Sequence, residues 1–285
     1  DGLEPTFNII KYTKKIAIAN KESLICAWPI ISKELKRNNT EFVPVDSEHF
    51  SIWSEIKNIN KKMIRYIYLT ASGGPLLNYD IGKSKKLNMR KILKHPTWQM
   101  GKKISIDSAT LMNKCYEVME AKNIFSLKYE KIKMIIHPDS YVHAIIAYKN
   151  GISKLVLHDT TMKIPIFNTI YSDNEIYRDI KHLNINKLNN LNLHDVKSIK
   201  YPMINLFKYL PNKHSLFETV IVSINDTIVN MYLNNKIEFW DISKLVLKFI
   251  SSKEYSVYKK VYPRKISDII NLNRIINEKL QKSII

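Results

Sequence analysis

Three short stretches carry residues that could hold a cation and an anion side by side. Asp46-x-Glu48 places two carboxylates where a strand gives way to a helix. Carboxylates this close repel unless a proton or cation sits between them. Oxygen ligands with open positions suit Mg²⁺ or Mn²⁺, although an N-cap Asp with a first-turn Glu would look the same. Ser72 precedes Gly73-Gly74. Paired glycines allow positive φ and close backbone approach, which sets a hydroxyl beside free N–H groups as in an anion nest. A plain turn before a helix is the alternative. The chain has only six glycines, so an adjacent pair is informative.

The third stretch, His95 to Ala121, reads HPTWQMGKKISIDSATLMNKCYEVMEA. Its first part has Pro96 and Gly101 as punctuation and Trp98 and Met100 as large apolar side chains without periodicity, the composition of a lid. Asp107 and Ser108 then sit where a helix is expected to start, since short side-chain oxygens cap free N–H groups. Downstream, Asn113 and Lys114 lie four and three residues before Glu117. On a helix that spacing stacks an amide, an ammonium and a carboxylate on one side. The competing reading is a capped amphipathic helix with a solvated polar face.

These groups need a scaffold, and the pattern around them supplies one. Ile16 to Asn20 is a short apolar strand, Lys21 opens a helix through Leu35, and Glu41 to Val45 is the next strand. Strand–helix–strand spacing implies a parallel unit of the doubly wound kind, in which residues just past the strand ends line the ligand crevice. Asn20, Lys21 and Glu22 lie past the first strand, and Asp46, Ser47 and Glu48 past the second. Arg65 to Ala71 is a strand running into the glycine turn. Lys131–Pro138, Tyr141–Tyr148 and Ile152–His158 read as three strands of an antiparallel sheet, with His137, Ser140 and His143 near its first turn. Lys163–Tyr171 is a short helix. Residues 174–200 read as a surface linker. From Tyr201 the pattern is that of a helical bundle, with segments near Met203–Leu210, Ser215–Asn234, Ile242–Ser251 and Ser267–Gln281; no chemistry is visible in it.

The fold class is therefore α/β. The expected domains are residues 1–45, 46–173 and 201–285, joined by the linker. With 285 residues there is ample core, and 45% hydrophobic content with no apolar run of membrane-spanning length points to a soluble protein. Two cysteines, Cys26 and Cys115, are too few for a disulfide framework and match no metal motif. The net charge of +19 is compatible with nucleic acid or a small anion. Lysine is spread along the whole chain and no basic arm stands out, which argues against nucleic acid and leaves an anionic small substrate or merely a Lys-rich composition.

Taken together, GLEPT, IAIANKESL, PVDSEH, LTASGGP, HPTWQMGKKISIDSATLMNK, HPDSYVH and MKIPI resemble the 1-deoxy-D-xylulose-5-phosphate reductoisomerase family, in order and spacing, from residue 2 to about residue 170. That family converts 1-deoxy-D-xylulose 5-phosphate to 2-C-methyl-D-erythritol 4-phosphate, using NADPH and a divalent metal. The resemblance implies the tail of a Rossmann-like NADPH domain over 1–45, an α+β catalytic domain with a mobile lid, and the C-terminal bundle. It implies metal ligands Asp46, Glu48 and Glu117. It implies substrate contacts at Lys21, Ser47, Glu48, Ser72, His95, Trp98, Met100, Ser108, Asn113, Lys114 and Glu117, with Lys21, Glu48 and His143 catalytic. Asn20, Glu22 and Gly101 would touch NADPH, and the lid would span His95–Lys103. A homodimer is expected as well.

Several residues depart from the family pattern. No G-x-G-x-x-G-like run occurs in the chain; in the family that loop would lie before Asp1, so the chain alone is expected to bind NADPH weakly and not to turn over. Trp28, Phe50, Cys115 and Thr160-Thr161 stand where the family favours other residues. The family's Asn-Ala-Ala-Asn-Glu run appears only as VSIND, Val222 to Asp226. The Lys/Asn/Ile skew suggests an AT-rich genome, hence a plastid (apicoplast) location with a bacterial cytoplasm as the alternative. The competing functional reading is a non-catalytic basic binding protein derived from such an enzyme.

Overall fold

A computed structural model describes residues 2–79, 87–95, 97–98, 100–171 and 183–283. Pro96 and Gln99 of the expected lid, and residues 174–182 of the expected linker, lie outside the described residues.

After helix α1 (Leu3–Ile9), strand β1 (Lys15–Ile18), helix α2 (Lys21–Arg37) and strand β2 (Glu41–Pro44) form the expected parallel unit. Lys15 pairs with Glu41 and Ile18 with Pro44. Asn20 caps α2, its side chain accepting from the Ser23 N–H at 3.2 Å. Helix α3 (Ser47–Ile56) starts directly after Asp46, so the carboxylate pair does sit at a strand-to-helix junction.

A second sheet contains β3 (Ile64–Ala71), β4 (Ile132–Ile136), β5 (Val142–Tyr148), β6 (Ser153–Leu157) and the short β7 (His194–Asp195). Its order is β6-β5-β3-β4-β7. The expected antiparallel trio is corrected here. β5 and β6 pair antiparallel, but β3 inserts between β4 and β5, parallel to the first and antiparallel to the second. Ile67 and Leu69 on β3 are fully buried against Ile146 and Ala144 of β5, and this apolar strand is better placed at the centre than at an edge. In the stretch read as a linker, Ile185–Asn190 forms a 3₁₀ turn and Asp195 pairs with Ile135 on the far edge.

Helix α4 (Met89–Leu93) leads to α5 (Lys102–Thr110) and α6 (Met112–Phe125). α6 is the central element. Met112, Cys115 and Met119 face one apolar cluster with α2 and the C-terminal helices, while Val118, Ala121 and Phe125 face the sheet and α3. A helix covered on two sides has no solvated face. Lys114, Glu117 and Glu120 are accordingly only 3%, 1% and 1% exposed, which excludes the reading of α6 as an amphipathic surface helix.

The helix start expected at Asp107 and Ser108 is also corrected. α5 begins after Gly101, and both residues lie in its last turn. Leu111 takes a left-handed conformation, φ 67°, which ends α5 and lets α6 set off in a new direction. Helix α7 (Lys163–Tyr171) follows the sheet, and the C-terminal region contains α8 (Phe217–Leu233), α9 (Phe239–Ile250), α10 (Lys253–Ser256) and α11 (Ile266–Ser283). The segment near Met203–Leu210 is a 3₁₀ helix, Pro202–Lys208. Val220, Ile224 and Ile228 of α8 share one cluster with Leu24 and Ile31 of α2, so the parallel unit and the bundle have a common core.

Candidate active site

A cavity of about 280 Å³ opens where β1, β2 and β3 end and α5 and α6 meet. Lys21, Asp46, Ser47, Glu48, Ser72, His95, Trp98, Met100, Ser108, Asn113, Lys114, Glu117 and His143 all line it. Residues from the whole length of the catalytic stretch thus converge on one space.

At one end, ligand oxygens of Asp46, Glu48 and Glu117 lie within 4.8 Å of one another. Two lysines thread between them. Lys21 Nζ is 2.8 Å from Asp46 Oδ2 and 3.3 Å from Glu117 Oε1. Lys114 Nζ is 2.6 Å from Glu48 Oε1 and also contacts Glu117. Asn113 receives a hydrogen bond from Lys21 at 2.8 Å and donates one to Glu117. Burial opposes every charge here. Lys21 and His49 nevertheless hold the Asp46 carboxyl well below its ordinary value, and Lys114 holds Glu48 down. Glu117, the most enclosed, is pushed up to about 7 by burial and by Glu48. Three carboxylates whose oxygens converge this closely fit a hard divalent cation.

At the other end, His95 Nε2 lies 3.0 Å from Ser72 Oγ and 3.1 Å from Ser108 Oγ. His95 Nδ1 accepts from the N–H groups of Thr97 and Trp98, at 3.2 and 3.0 Å, so the proton sits on Nε2 and points at the serines. Burial lowers the His95 pKa. Gly73 and Gly74 have φ of 81° and 64°, and a Cβ on Gly74 would meet the Ser108 carbonyl oxygen at 2.9 Å. The glycine pair therefore lets β3's end press against α5 and brings Ser72 to Ser108. A neutral imidazole and two hydroxyls can receive an anion. Lys114 is not part of this end; its ammonium stays with the carboxylates.

His143, on β5, forms part of the wall. It stacks on His158 with ring centroids 3.6 Å apart, and the Trp98 ring meets it edge-on at 6.3 Å. Burial and His158 push its pKa down to about 4, so it is neutral near pH 7. The expected cofactor residues lie elsewhere. Asn20 and Glu22 border a second, polar cleft of about 630 Å³ between α2, α8 and α11. Gly101 caps α5, with open space where its side chain would be, and lines neither cavity. Open backbone at Gly101 and polar groups at that cleft fit part of a dinucleotide.

Two residues, His49 and Glu120, were missed in the sequence. His49, fully buried, donates from Nε2 to the Glu117 carbonyl at 2.9 Å and places Nδ1 3.3 Å from Asp46 and 3.4 Å from Glu120. Each lies three residues from a carboxylate, one helical turn, and that spacing was the available signal.

Family profiles described as 1-deoxy-D-xylulose 5-phosphate reductoisomerase match residues 1–28, and its C-terminal domain residues 42–125 and 157–279. The chain is 52% identical over 98% of its length to the 1-deoxy-D-xylulose 5-phosphate reductoisomerase of Pelagibacter ubique, covering 72% of that protein. It is 38% identical to that of Wolbachia pipientis wMel, over 99% of this chain and 73% of the relative. A crystal structure of DOX-P reductoisomerase in complex with NADPH, fosmidomycin and magnesium superposes with a TM-score of 0.90 at 28% identity, covering 99% of this chain and 73% of that one. The enzyme from Zymomonas mobilis in complex with NADPH gives 0.85 at 27% identity, over 99% and 71%. The chain belongs to the 1-deoxy-D-xylulose 5-phosphate reductoisomerase family.

Proposed function

We propose that this chain carries the catalytic site for rearrangement and NADPH-dependent reduction of 1-deoxy-D-xylulose 5-phosphate to 2-C-methyl-D-erythritol 4-phosphate, in non-mevalonate isoprenoid biosynthesis. The observation that carries it is one cavity with a three-carboxylate cation end and a Ser72–His95–Ser108 anion end. A sugar phosphate with adjacent oxygens at its far end matches both.

Asp46, Glu48 and Glu117 would hold the metal, Mg²⁺ as named for solved relatives or Mn²⁺ in its place. When bound, it polarises the substrate carbonyl and stabilises developing negative charge. Lys21 and Lys114 stay protonated, because the carboxylates raise both pKa values, and so keep positive charge beside the reacting oxygens. Ser72, His95 and Ser108 receive the phosphate, with Asn113 orienting Lys21. Ser47, hydrogen-bonded to Glu48, faces the substrate between the two ends. Trp98 and Met100 cover the cavity and exclude water. His143 stays neutral and presents its ring to the covering Trp98. Asn20, Glu22 and Gly101 would contact NADPH, which would supply the hydride.

On this reading residues 1–45 are the C-terminal part of an NADPH-binding domain, 46–173 the catalytic domain, 174–200 the linker and 201–285 the helical bundle, the first and last sharing one apolar core. The chain works as a homodimer through the open side of β6 and the outer face of α7, where Ile152, Leu155, Ile166 and Ile170 are exposed. Among the described residues no helix is long and apolar enough to cross a membrane. The relatives named above are bacterial, which favours a bacterial cytoplasm over a plastid.

Calorimetric titration with fosmidomycin, with and without Mg²⁺, tests the reading. Metal-dependent binding is expected; absence of binding by the folded chain overturns it.

A further inference from the structure

The VSIND run, which showed no chemistry as sequence, ends on a charge network whose Lys103, Glu22 and Asp226 are about one-third exposed and whose Asp107 is buried. Lys103, in the first turn of α5, places Nζ 3.0 Å from Glu22 of α2, 3.0 Å from Asp107 one turn on, and 3.0 Å from Asp226 of α8. Asn225 Nδ2 donates to the other Asp107 oxygen at 2.9 Å. The Tyr116 ring lies under the ammonium, 5.5 Å away. Asp107 is 2% exposed and Asn225 is fully buried.

One ammonium thus serves three carboxylates from three helices. Burial pushes Asp226 up to about 6, while Lys103 lowers the Glu22 carboxyl. Packing alone does not call for this arrangement, since Ile106 and Ala109 already seat α5 in the apolar cluster. Removing Lys103 takes the counter-charge from Asp107, the one buried carboxylate of the set.

The chain neighbours of these residues give the network its meaning. Glu22 follows Lys21, which reaches the cation end. Asp107 precedes Ser108, which reaches the anion end. Gly101, two residues before Lys103, closes the segment that carries Trp98 and Met100. We propose that Lys103, held by Asp226 of the helical bundle, is a positioning residue that sets Lys21 and Ser108 relative to each other and anchors the root of the covering segment. Asn225 supports it by fixing Asp107. The bundle thereby acts on a cavity that none of its residues lines. The inference rests on the proposed function only for the ligand that reads it.

Lys103→Met, Lys103→Arg and Asp226→Asn in the whole chain test this, with fosmidomycin plus Mg²⁺ as probe and hydrogen exchange as a ligand-free readout. Lys103→Met is expected to weaken fosmidomycin about tenfold or more, the scale of outer partners of a site. Exchange should quicken over 100–111 and 21–24 while α11 stays protected. Lys103→Arg keeps charge and donors and should recover most of the affinity. Asp226→Asn should act in the same direction and less, and it carries the test if Lys103→Met does not fold. Unchanged affinity and exchange overturn the proposal. So does exchange that rises evenly through α9 and α11, since that is general loss of stability. If the parent does not bind fosmidomycin the functional reading fails, and the network stands or falls on whether exchange rises locally.

Discussion

Lys114 Nζ lies 2.6 Å from Glu48 Oε1, which ties the central helix α6 to the first turn of α3 inside the cavity. The same ammonium contacts Glu117, so without a metal it is the counter-charge for two buried carboxylates. Lys114→Met is therefore expected to destabilise the metal-free protein by about 3 kcal/mol, the cost of uncompensated buried charge. Mg²⁺ should restore part of that. Thermal unfolding in EDTA and in excess Mg²⁺ measures it; an equal loss in both would place the lysine's partner elsewhere.

Glu117→Gln removes a charge from the three-carboxylate end while keeping its shape. Calorimetry with Mn²⁺ should show affinity reduced about a hundredfold or more. Binding equal to the parent's would mean that the cation is held without Glu117.

Trp98 is half-buried and contributes to the cavity wall against His143. Trp98→Ala should weaken fosmidomycin binding yet change folding stability by less than about 1 kcal/mol. A large drop in melting temperature would make Trp98 a core residue instead.

Glu218, 1% exposed in α8, is pushed by burial from its ordinary 4.5 up to about 7, although Ser215 donates to it from N and Oγ. A carboxyl with a raised folded value binds its proton more tightly when folded. Its contribution favours folding below about pH 4.5 and is lost as pH rises through about 7, a difference of about 3 kcal/mol. Glu218→Gln keeps an acceptor without the charge, so its stability relative to the parent should climb from about pH 5 to about pH 8. Urea unfolding at the two pH values checks this; a constant gap would contradict it.

Leu155 is 39% exposed on the outer strand β6. Leu155→Lys, an edge charge, should shift a dimer toward monomer without disturbing the cavity. Sedimentation alongside fosmidomycin binding separates the two effects, and an unmoved dimer would put the interface elsewhere.

The order of residues alone determined the parts whose causes are local. The β1–α2–β2 unit follows from apolar periodicity. The left-handed turn after Ser72 follows from two glycines. Asp46 and Glu48 face the cavity because a strand ends there and a helix begins. Tertiary contact decided the rest. β3 lies between β4 and β5 because its apolar strand belongs at the sheet's centre, a preference that spacing along the chain does not express. Ser108 lies in the last turn of α5 because Gly101 starts that helix and Leu111 ends it, although Asp107 and Ser108 looked like a cap. Polar spacing on α6 suggested a wet face; burial on both sides turned it into charged residues that must find partners. Lys114 finds Glu48 across 66 residues, and Asn225 finds Asp107 across 118. A buried charge is stabilised by whichever opposite group the fold brings within reach, and that choice is set by three-dimensional packing rather than by neighbours in sequence.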